Sequence, residues 1–119
     1  MSWHKDVLHK IAEAISSGGA FHIAEWFTED VRLYEPTKPD WPTRHAGASK
    51  LLDGFKALTP PIRFEILDTV EQGDRIAVRW ALSATYRDEP LHLAMTAIYC
   101  FEDGRIAEDW GIPIRGEWP

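Results

Sequence analysis

The dipeptide Asp103-Gly104 is the feature of this 119-residue sequence that most restricts its fold. It separates two segments, 91–101 and 105–114, that are rich in β-branched and aromatic residues. Both turn residues tolerate the positive φ angles that a two-residue hairpin requires. The flanking pair, Glu102 and Arg105, carries opposite charges. The sequence therefore predicts a β-hairpin, whose register decides which side chains share a face.

Regular pairing from this turn predicts one face on which apolar and polar residues of the two strands stand opposite each other. This face is predicted to form one wall of an apolar pocket. The expected pairs are Phe101 with Ile106, Tyr99 with Glu108, Ala97 with Trp110, and Met95 with Ile112. The other face would carry His92, Ala94, Thr96, Ile98 and Cys100.

The second face of the hairpin also holds apolar side chains, which is unusual because an antiparallel sheet in a monomer commonly leaves one face to water. Ala94, Ile98 and Cys100 would therefore need a cover. A homodimer packed sheet to sheet through this outer face provides one. Burial beneath a chain terminus is the alternative.

Helical spacing dominates the first half of the sequence. We expect three helices: one around Val7–Ile15 capped by Ser2, a second over Ala20–Phe27, and a third over Gly47–Leu58. A short strand, Val31–Glu35, and a proline-rich loop, Pro36–Ala46, lie between the last two. Trp41 in that loop is a candidate lid. Two further alternating strands, 62–70 and 76–84, precede the hairpin, so the chain is predicted to be one α+β domain spanning residues 1–119.

Charge and composition exclude several classes of function. Thirteen basic and nineteen acidic side chains give a formal charge of −6, which repels nucleic acid. There is no uninterrupted apolar run of about 18 residues, so no membrane span is expected. The single cysteine, Cys100, permits no intrachain disulfide, and we expect a cytoplasmic protein.

Four stretches of the chain carry a family resemblance. The element order and these stretches resemble the SnoaL-like and ketosteroid-isomerase-like proteins of the nuclear-transport-factor-2-like superfamily, over about the whole chain. The stretches are Trp26-Phe27-Thr28-Glu29-Asp30-Val31, Tyr34-Glu35-Pro36, His45-Ala46-Gly47, and Phe101-Glu102-Asp103-Gly104-Arg105-Ile106-Ala107-Glu108-Asp109-Trp110.

The resemblance implies an α+β cone, in which three N-terminal helices pack on a curved antiparallel sheet that encloses a deep apolar pocket. It also implies dimerisation through the outer face of the sheet. The family includes isomerases, polyketide cyclases, dehydratases, epoxide hydrolases and catalytically silent binding domains. Because the fold hosts so many activities, function must be argued from the pocket residues.

Glu35 is the leading candidate for a catalytic base. Tyr34-Glu35-Pro36 resembles the acidic-residue-then-proline step at which ketosteroid isomerases carry their base. A poorly solvated carboxylate in an apolar pocket can take a proton from carbon near neutral pH. The alternative is a strand-end glutamate that faces solvent or an arginine.

The usual partners of such a base are missing from the sequence. Alignment with ketosteroid isomerases places Ile11 and Ala97 where those enzymes have a tyrosine and a protonated aspartate as hydrogen-bond donors. The cyclases are similar along the hairpin but continue to a catalytic aspartate where this chain has Ile114. Loss of one such donor costs about 10²–10³ in rate, which places both familiar activities in doubt.

The remaining candidates are a set of pocket residues and one loop histidine. Tyr99 and Glu108 are predicted to face each other, either as a structural hydrogen bond or as an active polar pair, and His45 is a candidate proton carrier at the pocket mouth. The predicted pocket residues are Trp26, Phe55, Trp80, Met95, Glu108 and Trp110.

Two functions from different classes stay open at this point. One is a lyase, isomerase or cyclase acting on a hydrophobic carbonyl compound with Glu35 as base. The other is non-catalytic: either a binder of a hydrophobic small molecule, or a dimerisation module whose cavity is filled by its own Trp41, Trp80 and Trp110. The histidines lack metal-ligand spacing, so we predict no metal and no cofactor.

Overall fold

The structure, a computed structural model, describes residues 3–119; Ser2, the predicted helix cap, lies outside the described residues. No helix within residues 3–119 is long and apolar enough to cross a membrane. The elements in chain order are α1 (Trp3–Ser17), α2 (Ile23–Trp26), β1 (Phe27–Tyr34), α3 (Arg44–Asp53), a 3₁₀ turn (Gly54–Ala57), β2 (Thr59–Gln72), β3 (Arg75–Tyr86), β4 (Glu89–Glu102) and β5 (Arg105–Arg115).

The five strands form one curved, unclosed sheet in the order β1-β5-β4-β3-β2. Strands β2 to β5 are an antiparallel meander, whereas β1 runs parallel to β5 along the opposite edge. Helices on one face of a mainly antiparallel sheet confirm the predicted α+β class. The parallel pairing of the short strand β1 with β5 was not predicted from the sequence.

Helix α1 covers the inner face of the sheet. Its buried residues Leu8, Ile11, Ala12 and Ile15 recur at helical spacing, as predicted, and the helix packs against β2. Burial of a leucine or isoleucine side chain contributes about 1.5–3 kcal/mol. The helix thereby closes one side of the space that the curved sheet leaves open.

The predicted bounds of the second and third helices were wrong. Only Ile23–Trp26 is helical, because Phe27 already pairs with Ile106 and begins β1 four residues before the predicted strand. Helix α3 begins earlier than predicted, at Arg44, and from Gly54 continues as a 3₁₀ turn. Pairing with a neighbouring strand outweighed the local helical spacing in the first case.

The predicted hairpin turn is confirmed at Asp103-Gly104. Both residues have positive φ angles, 51° and 83°, as in a type I′ turn. The closing pair Glu102 and Arg105 is paired as expected, and so is Phe101 with Ile106. The turn therefore fixes the register at the start of β5 only, because the pairing changes immediately beyond it.

Candidate functional site

The inner face of the sheet and the helices enclose an apolar cavity of about 120 Å³. Helix α1 and the segment from α3 to the 3₁₀ turn form one side, and residues of all five strands form the other. The aromatic wall is continuous, since Phe55 lies against Phe64 and Phe64 stacks on Trp80 with ring centroids 4.5 Å apart. Polar groups are few on this surface, and those contributed by the sheet and the adjoining loop include Tyr34, Tyr99, Asp109, Glu35 and Lys38.

A β-bulge next to the hairpin turn decides which residues of β5 face this cavity. Phe101 pairs with Ile106, but the next residue back along β4, Cys100, pairs with Glu108, so Ala107 is an extra residue. One extra residue moves every following side chain to the opposite face.

The predicted register beyond the turn was therefore wrong. Tyr99 stands opposite Asp109 instead of Glu108, and Ala97 stands opposite Gly111 instead of Trp110. Asp109 and Gly111 line the inner cavity. Glu108 and Trp110, which were predicted on the pocket wall, belong to the other face of the sheet, because the inserted residue reversed their orientation.

Asp109 is the charged group that the bulge brings into the cavity. Its neighbour on β1 is Leu33, and its neighbour on β4 is Tyr99. Burial without a compensating ion pair raises the pKa of the Asp109 carboxyl from its ordinary value of 3.8 to about 7. A group with such a pKa can both accept and release a proton near neutral pH.

Tyr99 and Trp80 form a hydrogen-bonded pair in the cavity wall. The Trp80 indole Nε1 donates to the Tyr99 hydroxyl oxygen over 3.0 Å. Both side chains are buried. Burial raises the pKa of the Tyr99 hydroxyl well above its usual value, the charge of Asp109 raises it further, and the bond from Trp80 opposes the shift. Tyr99 therefore keeps its proton at neutral pH.

Glu35 lies at the mouth of the cavity, where β1 ends. Its carboxylate accepts a hydrogen bond from the Thr37 hydroxyl, and the Lys38 ammonium lies 4.0 Å from Oε2. That oxygen is buried and accepts no hydrogen bond within the described residues. Glu35 is thus neither a solvated strand end nor isolated from positive charge.

The predicted pocket residues divide into two groups. Phe55, Trp80 and Met95 line the inner cavity. Trp26 does not line it; it is buried beside Phe21 and His22 in the core around α2.

His45 does not reach the cavity wall. Its Nε2 lies 3.1 Å from the Phe27 carbonyl oxygen, and since a carbonyl only accepts, Nε2 must carry the hydrogen. This contact ties the start of α3 to β1. The geometry gives His45 a role in anchoring the helix.

Trp41 lines the inner cavity from the proline-rich loop. Its Nε1 donates to the Gly47 carbonyl oxygen over 3.2 Å, and the ammonium groups of Lys38 and Lys50 lie 4.7 and 4.8 Å from its ring centroid. The ring is therefore held at the mouth by one hydrogen bond and two cation–π contacts. Whether Trp41 acts as a lid stays a prediction.

The outer face of the sheet carries a second concavity of about 730 Å³. Trp110 stacks on Tyr34 with ring centroids 3.8 Å apart, and its Nε1 donates to Glu108 over 2.9 Å. Three exposed apolar side chains also line this concavity, Val70, Ile98 and Ile112, and the exposed Ile114 lies farther along β5. We call these four residues and Trp110 the outer patch.

Metal-ligating side chains do not cluster in the part of the chain that the structure describes. Residues 3–119 contain no group of three or more His, Cys, Asp or Glu side chains that could hold a metal ion. The two acidic groups of the inner cavity are Asp109 and Glu35.

Fold and site together define a class: an α+β cone whose enclosed apolar cavity contains a carboxyl group of raised pKa. Within that class, the family profile of the SnoaL-like domain matches residues 8–109. The chain belongs to the SnoaL-like domain family. A comparison with curated proteins found no significant match.

Solved structures share the fold across almost the whole chain. Wild-type IdmH from Streptomyces antibioticus, named as a candidate polyketide cyclase, is 24% identical, with a TM-score of 0.75 over 92% of this chain and 91% of that one. A candidate polyketide cyclase from Acidithiobacillus ferrooxidans is 21% identical, with a TM-score of 0.77 over 94% and 88%. A candidate ketosteroid isomerase from Kribbella flavida is 18% identical, with a TM-score of 0.69 over 98% and 82%. At these identities the likeness establishes the fold and leaves the chemistry to the site.

Proposed function

We propose that the protein binds a small hydrophobic carbonyl compound in the inner cavity and moves a proton on it, with Asp109 as the acid–base group. The observation that supports this proposal is a carboxyl group with a pKa of about 7 in an apolar cavity. A base whose pKa lies near the working pH combines the correct protonation state with adequate driving force. Isomerisation, cyclisation and dehydration all begin with such a step.

Glu35 is the second candidate for the same role. It lines the cavity mouth, but its carboxylate is already contacted by two polar neighbours: one oxygen accepts a hydrogen bond from the Thr37 hydroxyl, and Oε2 lies 4.0 Å from the Lys38 ammonium. We therefore assign the base to Asp109 and a ligand-orienting role to Glu35.

Hydrogen–deuterium exchange separates the two assignments. With cyclopentanone as an enolisable probe small enough for the cavity, in D₂O, we expect the wild type to speed exchange of the protons next to the carbonyl, as followed by NMR. The Asp109→Asn variant should lose this acceleration by about 100-fold or more, whereas Glu35→Gln should change it much less.

The opposite pattern, with loss in Glu35→Gln and none in Asp109→Asn, would assign the base to Glu35. No acceleration by the wild type would reject proton transfer and leave the non-catalytic module. The position of Trp110 argues against a cavity filled by all three tryptophans, because this side chain lies on the outer face and cannot fill the inner cavity.

We further propose that two copies associate through the outer patch. Ile98 and Trp110 are cross-strand neighbours at its centre, and each keeps 46% of its surface exposed. Large contiguous apolar surfaces are uncommon on monomers. A second copy would cover the patch with an equivalent apolar surface of its own.

Sedimentation velocity at micromolar concentration tests this association. We expect a wild-type dimer that dissociates when Ile98→Glu places a charge in the patch. Ala57→Glu, an exposed change in the 3₁₀ turn, should leave the dimer intact. A wild-type monomer under these conditions would contradict the proposed interface.

A further inference from the structure

The Tyr99 hydroxyl is a hydrogen-bond donor whose direction the structure restricts. An indole N–H only donates, so the Tyr99 oxygen must accept the bond from Trp80. The hydroxyl has one hydrogen of its own, which cannot return to Trp80 and must point elsewhere. Within residues 3–119, Trp80 is the one hydrogen-bond partner of the Tyr99 side chain.

This hydrogen belongs to a buried group in the cavity wall. Tyr99 is 7% exposed, and its side chain lines the inner cavity together with Trp80. A buried donor left without an acceptor costs about 1–3 kcal/mol. An oxygen atom of a ligand in the cavity would remove that cost.

Tyr99 and Asp109 are adjacent on neighbouring strands. They stand directly opposite each other in the register of β4 and β5, and both line the inner cavity. Side chains at such positions have Cβ atoms about 4.5–5.5 Å apart. A donor and a carboxylate at this spacing can contact an oxygen and the carbon next to it in one small molecule.

We propose that the Tyr99 hydroxyl donates a hydrogen bond to the carbonyl oxygen of the ligand while Trp80 fixes the direction of that hydroxyl. This inference rests on the proposed function and narrows its ligands to enolisable ketones and their enols. The donor occupies a position other than Ile11 and Ala97, the two at which the resemblance places the missing donors. Tyr99 supplies the hydrogen-bond donor that Ile11 and Ala97 cannot supply.

The proposed reaction step uses two side chains of the cavity, Asp109 and Tyr99. The Asp109 carboxylate takes a proton from the carbon next to the carbonyl, and the C–H electron pair forms a carbon–carbon double bond. The carbonyl π pair moves onto oxygen, where the Tyr99 hydroxyl stabilises the developing enolate. The Asp109 carboxylic acid then returns the proton to carbon, at the same or a conjugated position.

Infrared spectroscopy of bound cyclopentanone tests the donor directly. In the wild type we expect the carbonyl band to lie at lower frequency than in an apolar solvent, because a hydrogen bond weakens the C=O bond. Tyr99→Phe should remove this shift and weaken cyclopentanone binding by about 3- to 10-fold. Cyclopentane, the hydrocarbon of the same shape, should bind both proteins equally.

Trp80 is a positioning residue in this proposal, and Trp80→Phe provides its test. This variant keeps the Tyr99 donor and an aromatic wall but removes the bond that orients the hydroxyl. We expect a broader carbonyl band with a smaller shift. A band identical to that of the wild type would remove Trp80 from the proposal.

The failure of this inference is distinguishable from the failure of the proposed function. Asp109→Asn should keep the carbonyl shift while losing proton exchange; if exchange persists, the base assignment fails and the donor stands. If Tyr99→Phe keeps both the shift and the affinity, the donor assignment is overturned. A wild type that binds no cyclopentanone, or binds cyclopentane and cyclopentanone equally without a band shift, also overturns it.

Discussion

The Asp109→Asn variant should gain stability relative to the wild type as the pH rises, by up to about 4 kcal/mol between about pH 4 and about pH 8. The folded protein holds the Asp109 proton with a pKa of about 7, against an ordinary value of 3.8 in the unfolded chain. Between these two values the folded state binds more protons, so the wild-type free energy of unfolding falls as the pH increases. The stabilising contribution is complete below the unfolded pKa and is lost as the pH passes the folded one.

Urea unfolding of both proteins across this pH range measures the effect. At each pH we take the difference in free energy of unfolding between the variant and the wild type. The change of this difference with pH excludes any pH-independent effect of the amide. Glu102→Gln is a matched control, because it alters the same charge on the same hairpin at an exposed position. A pH-independent difference for Asp109→Asn would show that its carboxyl is well solvated, and the proposed base would lose its physical support.

Asp109→Asn is expected to change both the stability of the fold and the chemistry of the site. A carboxyl group that is costly to ionise destabilises the protein at the pH where it works as a base. Stability and activity are expected to trade against each other at such a position. Removal of the charge should therefore raise the free energy of unfolding and abolish the proposed proton transfer in a single variant.

The architecture could be predicted from the sequence because its signals are local and repeated. The turn at Asp103-Gly104 needs positive φ angles that few residues accept, and α1 shows helical spacing over most of its length. The parallel pairing of β1 with β5 is different, because it joins segments that are far apart in the chain and leaves no local pattern.

The position of Asp109 in the cavity could not be predicted from the sequence, because it depends on one inserted residue, Ala107. Two-residue turns usually continue into regular pairing, and neither Ile106 nor Ala107 indicates a bulge. Once Ala107 is inserted, the alternation of β5 reverses, and an aspartate replaces a glutamate in the cavity. The run Glu108-Asp109-Trp110 contained the only available hint, since the two adjacent acids guarantee that one faces each side of the strand.

The observed register changes what the absence of the usual family acids implies for function. Ala97 and Ile114 lack acidic groups, as the resemblance indicated, but the same wall holds Asp109 and Tyr99. Function in this fold depends on which side chains enter the cavity and less on their positions in the chain. The sequence predicted that the hairpin forms a wall of the cavity, and the bulge decides which polar side chains of that wall face the cavity.

The contact between the proline-rich loop and helix α3 depends on a glycine that has no room for a side chain. A Cβ atom placed on Gly47 would lie 1.9 Å from the Pro42 carbonyl oxygen and 2.8 Å from Leu33 Cδ1. Trp41, at the end of the same loop, donates its indole hydrogen to the Gly47 carbonyl. Helix α3 and the loop can therefore remain in contact only if residue 47 is glycine.

Gly47→Ala should lower the free energy of unfolding by about 3 kcal/mol, the upper part of the range for overpacking, because the clash involves backbone that cannot rotate away. Gly54→Ala is the matched control: its added Cβ meets no atom within 4 Å and its φ of −58° suits alanine, so we expect a neutral or slightly stabilising change. Chemical unfolding followed by tryptophan fluorescence measures both variants. Equal stability of the two variants would mean that the loop does not press on α3, and the structural basis for Trp41 as a lid would be lost with it.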